Sequence, residues 1–392
     1  MKKYLALSQK YLPHKGGAFI WVHELCKRLH NATVLTETVK GCPAQEMIEN
    51  VDVRRIRLER LAFLRPESLV MYANLMIHTI RFCMQNRPDA IIAARVLPEG
   101  LTAVIAGRIF GIKNLILAHG EEITTWGTET ELNSRRKITG AFKRHILWSV
   151  YRWADHIAAN SGFTCRELTE GGICPEKIRI VHPGTDPEQF KPLPDKNALK
   201  AKWQVENRKV LLTVGRLSKR KGQDMVIAAM PSILKSVPKA IYLIGGIGEY
   251  ETRLKKLVKD SDLSSHVRFL GKVSDESLLE LYNIADIFLM PNRILTGNDV
   301  EGFGIVFLEA NACEIPVIGG NSGGVPDAVV HGLTGILTQG DSPEEIAGAV
   351  IRLLENPAMA KKMGQEGRKR VCRELTWNHN AENIRTILES KI

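Results

Sequence analysis

The chain has 392 residues and a mass of 43.8 kDa, with 44% hydrophobic and 25% charged residues and a formal charge of +11. That length exceeds what one hydrophobic core serves, so two domains are expected, and the composition excludes a disordered or fibrous chain. The longest apolar stretches, 101–109 and 114–118, are broken by Gly107, Arg108, Gly111 and Lys113 and fall well short of the roughly 20 residues that a bilayer demands.

In chain order, the start Met1 to Leu7 places two lysines before a short apolar run, but Gln9, Lys10 and His14 interrupt it, so it reads as a first strand and not as a signal peptide. Short apolar runs then alternate with helix-length segments: 4–8, 32–36, 90–94, 115–119, 156–160 and 178–181. A second series follows at 210–215, 240–245, 267–270, 287–290, 316–319 and 335–338. Strands separated by helices imply parallel sheets covered on both faces, because each crossover returns the chain across the sheet. Two doubly wound α/β domains result. Between the series lies a proline-dense stretch, His182 to Pro194, that supports neither a helix interior nor a central strand. The division is therefore a Rossmann-like domain over 1–184, a linker over 185–196, a second Rossmann-like domain over 197–376, and a last helix over 377–392 that can dock back on the first domain.

The basic excess sits early, with 26 Lys and Arg against 17 Asp and Glu up to Gly184. One cluster is Arg54, Arg55, Arg57 and Arg60; another is Arg135, Arg136, Lys137, Lys143 and Arg144. Such asymmetry suits a polyanionic partner: nucleic acid, an anionic membrane surface or a phosphorylated acceptor. Solvated helix faces explain any single cluster equally well. Aromatic residues are 6% of the chain and do not interleave with the basic clusters, which sets nucleic acid aside. The segment 54–87 mixes arginines with apolar residues and is a candidate amphipathic helix, although core packing accounts for the same residues. Seven scattered cysteines without a C-x-x-C pair suggest neither a disulfide framework nor a zinc site, and fit a reducing cytoplasm.

In open parallel sheets ligands sit at the carboxyl ends of strands, so residues just after predicted strands carry the most information. Gly16-Gly17 precedes a helical run and lets backbone amides approach a phosphate, a weak signal alone. Arg216 and Lys221, in Gly215-Arg216-Leu217-Ser218-Lys219-Arg220-Lys221-Gly222, place fixed cations at a strand end, able to neutralise a diphosphate without a metal; the alternative is a basic surface turn. Glu301 and Glu309 flank Gly302-Phe303-Gly304-Ile305, where a helix opens. Its amides can meet phosphates, and Glu309, set within an apolar run, is expected to be buried with a partner and able to accept two ribose hydroxyls. Other patterns fail. His23-Glu24 lacks the second zinc histidine, since position 27 is Lys; Asp260-Ser261-Asp262 reads as a solvated helix end; and Gly245-Gly246-Ile247-Gly248 lacks the third glycine of a dinucleotide fingerprint.

The order Gly-Gly, Leu117-Ala118-His119-Gly120-Glu121, Arg-x4-Lys and Glu-x7-Glu resembles the retaining GT-B glycosyltransferases of family 4 over essentially the whole chain. Ser161 to Thr164, Pro183 to Phe190 and Asn321 to Asp327 extend the likeness, and the run Met290 to Gly304 followed by Ser322-Gly323-Gly324 resembles the phosphatidylinositol mannosyltransferase branch. The resemblance implies two domains facing a central cleft, acceptor on the first and donor on the second. It implies a hexosyl transfer, with a lean to mannose, from a nucleotide diphosphate sugar to a glycolipid or polysaccharide precursor, with retention and without a metal or other cofactor. By that resemblance Arg216 and Lys221 hold the diphosphate, Glu309 the ribose, and Glu301 with Gly302, Phe303, Gly304 and Ile305 the sugar and phosphates. The base pairs with backbone near Val273, His119 faces the donor sugar, and Gly16 and Gly17 touch the diphosphate. Localisation is expected to be cytoplasmic, with a peripheral contact on the inner membrane face through the basic first domain. Two alternatives stay open: the same chemistry on a small soluble acceptor, and a non-catalytic nucleotide-sugar-binding protein.

Overall fold

In the computed structural model, residues 2–14, 16–58, 69–125, 134–295 and 299–390 are described. The chain forms two compact units, 1–182 with 377–392, and 183–376. In the first, eight strands, β1 (Tyr4–Leu7), β2 (Ala32–Glu37), β3 (Gln45–Ile48), β4 (Val51–Ile56), β5 (Ala90–Ala93), β6 (Lys113–Ala118), β7 (His156–Ala159) and β8 (Ile178–Ile180), lie in the order β3-β4-β2-β1-β5-β6-β7-β8. All neighbours are parallel except β3 with β4. The second holds β9 (Lys209–Val214), β10 (Ala240–Gly245), β11 (Val267–Gly271), β12 (Ile287–Met290), β13 (Val317–Gly320) and β14 (Gly335–Thr338), ordered β11-β10-β9-β12-β13-β14 and wholly parallel.

The two-fold periodicity of strands explains the cores. In the second unit Val210, Leu212, Leu243, Phe288 and Met290 enter one apolar cluster while Leu211, Tyr242, Ile244, Ile287 and Leu289 enter another on the opposite face. Strands buried on both faces must be nearly all apolar, which makes them legible in the sequence. β3 and β4 are not, because their residues alternate with charges. Arg55, read as part of a surface cluster, has its side chain buried: it pairs with Glu46 and donates to the Pro43 and Leu12 carbonyls at 3.0 and 3.1 Å. Arg54 pairs with Asp52 at 2.9 Å and lies over the Phe82 ring. Arg60 and the apolar residues of 59–68 lie outside the described residues; the helix Leu69–Asn86 follows them.

The proline-dense stretch expected as a linker belongs to the second unit. Phe190 is buried in its core against Tyr282, and Arg368 donates to the carbonyls of Phe190 and Pro187 at 3.3 and 3.4 Å. The last helix, Trp377–Glu389, belongs to the first unit, where Asn380 accepts from Trp21 Nε1 at 3.0 Å and donates to the His182 carbonyl at 2.7 Å. Among the described residues no helix is long and apolar enough to cross a membrane.

Candidate active site

Each sheet has a central reversal of strand order, at β1/β5 in the first unit and β9/β12 in the second. At such a switch point the crossovers leave in opposite directions and open a crevice at the carboxyl ends of the strands. In the second unit β9 runs into the turn 215–222 and β12 into Pro291-Asn292-Arg293. The turns pack backbone to backbone: Arg293 N–H donates to the Arg220 carbonyl at 3.0 Å. Gly222, at φ 76°, leaves no room for a Cβ, which would fall 2.2 Å from the Pro291 oxygen.

Glu301 is the hub of this crevice. Arg220 Nη1 donates to Glu301 Oε2 at 2.7 Å, Asn292 Nδ2 to the same oxygen at 3.0 Å, and Lys221 Nζ to it as well. Arg220 Nε also pairs with Asp299 at 3.0 Å. Burial by itself would raise the Glu301 carboxyl, but Lys221 and Arg220 overcome it and hold the group down at about 2. Deeper still, Arg293 Nη2 pairs with Asp224 at 2.6 Å. Among the described residues, several buried atoms without a hydrogen-bond partner lie at or beside these turns: Ser218 Oγ, Gln223 Oε1, Asp224 Oδ1, Asn292 Oδ1 and Arg293 Nη1. Orphaned buried polar atoms are costly, and their gathering at one place marks a site built for a polar ligand.

Glu309 lies on the helix Ile305–Ala312, which opens at Gly304 in a left-handed conformation, φ 99°. A Cβ there would sit 2.7 Å from the Phe307 ring, so glycine is required. Burial pushes the Glu309 carboxyl up to about 7, against the hydrogen bond from Tyr282 Oη at 2.7 Å, which pulls it down. Tyr282 is itself wedged between Phe190 and Phe288. Glu309 is thus half-buried with Tyr282 as its partner, and that partner has no signature in the sequence.

Arg216 and Lys221 separate in the structure. Lys221 is held against Glu301, whereas the Arg216 side chain is 72% exposed and pairs loosely with Glu249, at 3.8 Å. Arg220 and Asn292, not singled out in the sequence, take the inner positions. Their signals are the adjacency of Arg220 to Lys221 and, for Asn292, its place at the end of β12 in the run from Met290 to Gly304. Gly302 and Phe303 are buried, Ile305 and Val273 half-buried. Val273 packs beside the end of β10, 2.8 Å from where a Gly245 Cβ would stand.

Gly16, Gly17 and His119 belong to the first unit. Gly16 precedes the helix Gly17–Leu29, whose first turn has no side-chain cap and no acidic residue. His119 follows β6; its Nε2–H donates to the Ala94 carbonyl at 2.7 Å and Trp21 meets its ring edge-on at 5.2 Å. Burial lowers its pKa, so Nδ1 is left as an acceptor. Beyond β5, Glu99 accepts from Gln9 N–H at 2.7 Å, and burial pushes its carboxyl up to about 7. His23, half of the failed zinc pattern, is buried and bonded to Tyr11 at 2.7 Å. Among the described residues no cluster of three His, Cys, Asp or Glu could hold a metal ion.

Two doubly wound parallel-sheet units, with a cation-lined switch point in the second, define the GT-B class of sugar-transferring enzymes. The glycosyl transferases group 1 model matches residues 195–370 and the glycosyltransferase family 4 model residues 15–189. Over 99% of its length the chain is 37% identical to 98% of a Mycolicibacterium smegmatis protein named GDP-mannose-dependent alpha-(1-6)-phosphatidylinositol monomannoside mannosyltransferase. A Corynebacterium glutamicum enzyme named for the monoacylated form of that acceptor is 30% identical over 100% of this chain and 98% of its own. Among solved structures, sucrose-phosphate synthase from Thermosynechococcus elongatus has a TM-score of 0.81 at 22% identity, covering 99% of this chain and 98% of that one. Anabaena HepE with UDP-glucose has 0.80 at 21%, covering both chains fully. The chain belongs to glycosyltransferase family 4, and it is a glycosyltransferase related to the phosphatidylinositol mannosyltransferase branch.

Proposed function

We propose that the chain transfers mannose from GDP-mannose to a glycolipid acceptor with retention of the anomeric configuration and without a metal. The observation that carries donor and acceptor class is the 37% identity, over nearly the whole of both chains, to an enzyme named for GDP-mannose and a phosphatidylinositol mannoside. The chemistry rests on the second unit's crevice. Lys221, with the exposed Arg216, supplies cations to a leaving diphosphate, the work a metal does in other transferases. Glu309 accepts the ribose hydroxyls when ionised; Glu301 and the backbone from Gly302 to Ile305 take the sugar and phosphates; backbone at Val273 takes the base. In the first unit Gly16 and Gly17 offer helix amides to phosphate, and His119 offers Nδ1 to a sugar hydroxyl. With the diphosphate held, its departing oxygen accepts the acceptor's proton as the new bond forms on the same face of the sugar, so no protein base is needed.

The basic first unit supports a peripheral contact with an anionic membrane at its cytoplasmic face. The first unit exposes the apolar side chains of Ile77, Met84, Ile109 and Trp153, and Arg108 covers the Trp153 ring, a pairing of apolar and basic groups that suits an anionic lipid surface.

The test is incubation of the purified chain with GDP-mannose, UDP-glucose or UDP-N-acetylglucosamine, in EDTA, with phosphatidylinositol mannosides, inositol phosphate or free sugars as acceptors. Mass spectrometry reads the product and NMR the anomeric centre. Mannosylated glycolipid of α configuration is expected. Exclusive use of a UDP-sugar, or a metal requirement, would overturn the corresponding part of the proposal.

A further inference from the structure

Three nitrogen donors, Arg220 Nη1, Asn292 Nδ2 and Lys221 Nζ, converge on one atom, Glu301 Oε2. Two of the three are held rigidly. Arg220 is anchored at its other edge by Asp299, and its side chain is only 13% exposed. Asn292 is wholly buried, and its carbonyl accepts from Ser322 Oγ at 3.0 Å while Gly320 and Gly340 press so closely on it that a Cβ on either would come within 2.2 Å of that oxygen. The backbone of Glu301 is also fixed, its carbonyl accepting from Gly324 N–H at 2.9 Å. What can move is the Glu301 side chain, a carboxylate on two methylenes. A single oxygen met by a guanidinium, an ammonium and an amide is the environment that a terminal phosphate oxygen requires.

We propose that Glu301 Oε2 holds the place of a phosphoryl oxygen of the donor, and that Arg220 and Asn292 complete, with Lys221, the cradle of the diphosphate. This rests on the reading of the chain as a nucleotide-sugar-dependent transferase. On binding, the diphosphate takes the three donors and Glu301 turns out of the cradle, its charge replaced by the phosphate's. The released carboxylate then has both oxygens open to hydroxyls of the sugar attached to that diphosphate. No covalent bond changes: one anion exchanges for another opposite the same two cations. The exchange links the arrival of the diphosphate to the readiness of the sugar-facing carboxylate, and it makes Glu301 a competitor of a free nucleoside diphosphate, not a contributor to its binding.

The experiment is calorimetric titration of the full chain with GDP and with UDP, neither carrying a sugar. Glu301→Gln keeps the shape and one acceptor but removes the charge that competes, so the nucleoside diphosphate the wild type prefers should bind about tenfold more tightly to the variant. Unchanged or weaker binding by a folded Glu301→Gln overturns the proposal. A wild type that binds neither GDP nor UDP overturns the donor reading itself, a result separate from wild-type binding that the variant fails to improve. Arg220→Gln provides an independent measurement: about a tenfold loss of nucleoside diphosphate affinity is expected, with part of it regained in Arg220→Lys. Wild-type affinity in Arg220→Gln removes Arg220 from the cradle.

Discussion

Replacing Glu309 by glutamine is expected to make the protein more stable and less able to bind its donor. The carboxyl sits at about 7 in the folded chain against 4.5 in the unfolded one. A raised carboxyl means that the folded state holds the proton more firmly, so its penalty is absent below about 4.5 and grows as pH rises toward 7, where the group must ionise with only part of its hydration. At about 1.4 kcal/mol for each unit, the ionised carboxylate costs the second unit about 3 kcal/mol at pH 8.5. The amide of Glu309→Gln is uncharged at every pH and still accepts from Tyr282, so it removes that cost without leaving the tyrosine hydroxyl alone. For a unit of this size the gain corresponds to a rise in melting temperature of roughly 5–10 °C at pH 8.5 and close to none at pH 4.5. Nucleoside diphosphate affinity should move the other way, since an amide presents only one acceptor to two ribose hydroxyls. In the wild type, affinity should fall as pH drops below 7, and in Glu309→Gln it should be low and flat. The assay is thermal unfolding and calorimetric titration of both proteins from pH 4.5 to 9. A variant destabilised more at pH 8.5 than at pH 4.5 would refute the burial argument, and a pH-independent wild-type affinity would refute the role of the ionised group.

Lys221→Ala should lower kcat by about a hundredfold or more while the melting temperature changes little, because the lysine acts on charge that develops on the leaving diphosphate. Unchanged steady-state turnover would remove Lys221 from the chemistry. Gly304→Ala should cost about 1–3 kcal/mol in denaturant unfolding and weaken donor binding together, since the methyl meets the Phe307 ring and the left-handed backbone resists a side chain. Arg55→Ala should destabilise by about 2–3 kcal/mol, as it leaves the Pro43 and Leu12 carbonyls without their donor and opens a buried gap. A loss below about 1 kcal/mol would return Arg55 to the surface cluster the sequence suggests. Flotation with vesicles containing anionic lipid should carry the protein at low salt and release it in about 0.5 M NaCl, where the Debye length shrinks to a few ångströms; flotation with neutral vesicles alone would refute the electrostatic contact.

How much the sequence determined follows from what each signal depends on. Strands such as Tyr4–Leu7 and Ile287–Met290, buried on both faces, must be continuously apolar, and that local constraint is written into any stretch that obeys it. The glycines at 222 and 304 mark where backbone must come close or turn left-handed, a demand that one residue type meets. Two doubly wound units, and the strand ends where chemistry gathers, were therefore legible. Val51–Ile56 was not, because a strand can carry arginines once Glu46 on the neighbouring hairpin strand and the Pro43 and Leu12 carbonyls receive one of them, and such a strand shows no continuous apolar run.

The same reason divides the site. Arg216 and Lys221 look alike in the sequence, yet one stands in solvent and the other meets a carboxylate 80 residues away. Tyr282 gave no sign that its hydroxyl ends on Glu309, and Arg220 and Asn292 became ligands of a single oxygen only when the turns after β9 and β12 were brought edge to edge. Sequence determines which residue types stand at each strand end. Which of them face one another, and how far burial and charge then shift their acidity, depends on through-space distances that only the folded chain sets.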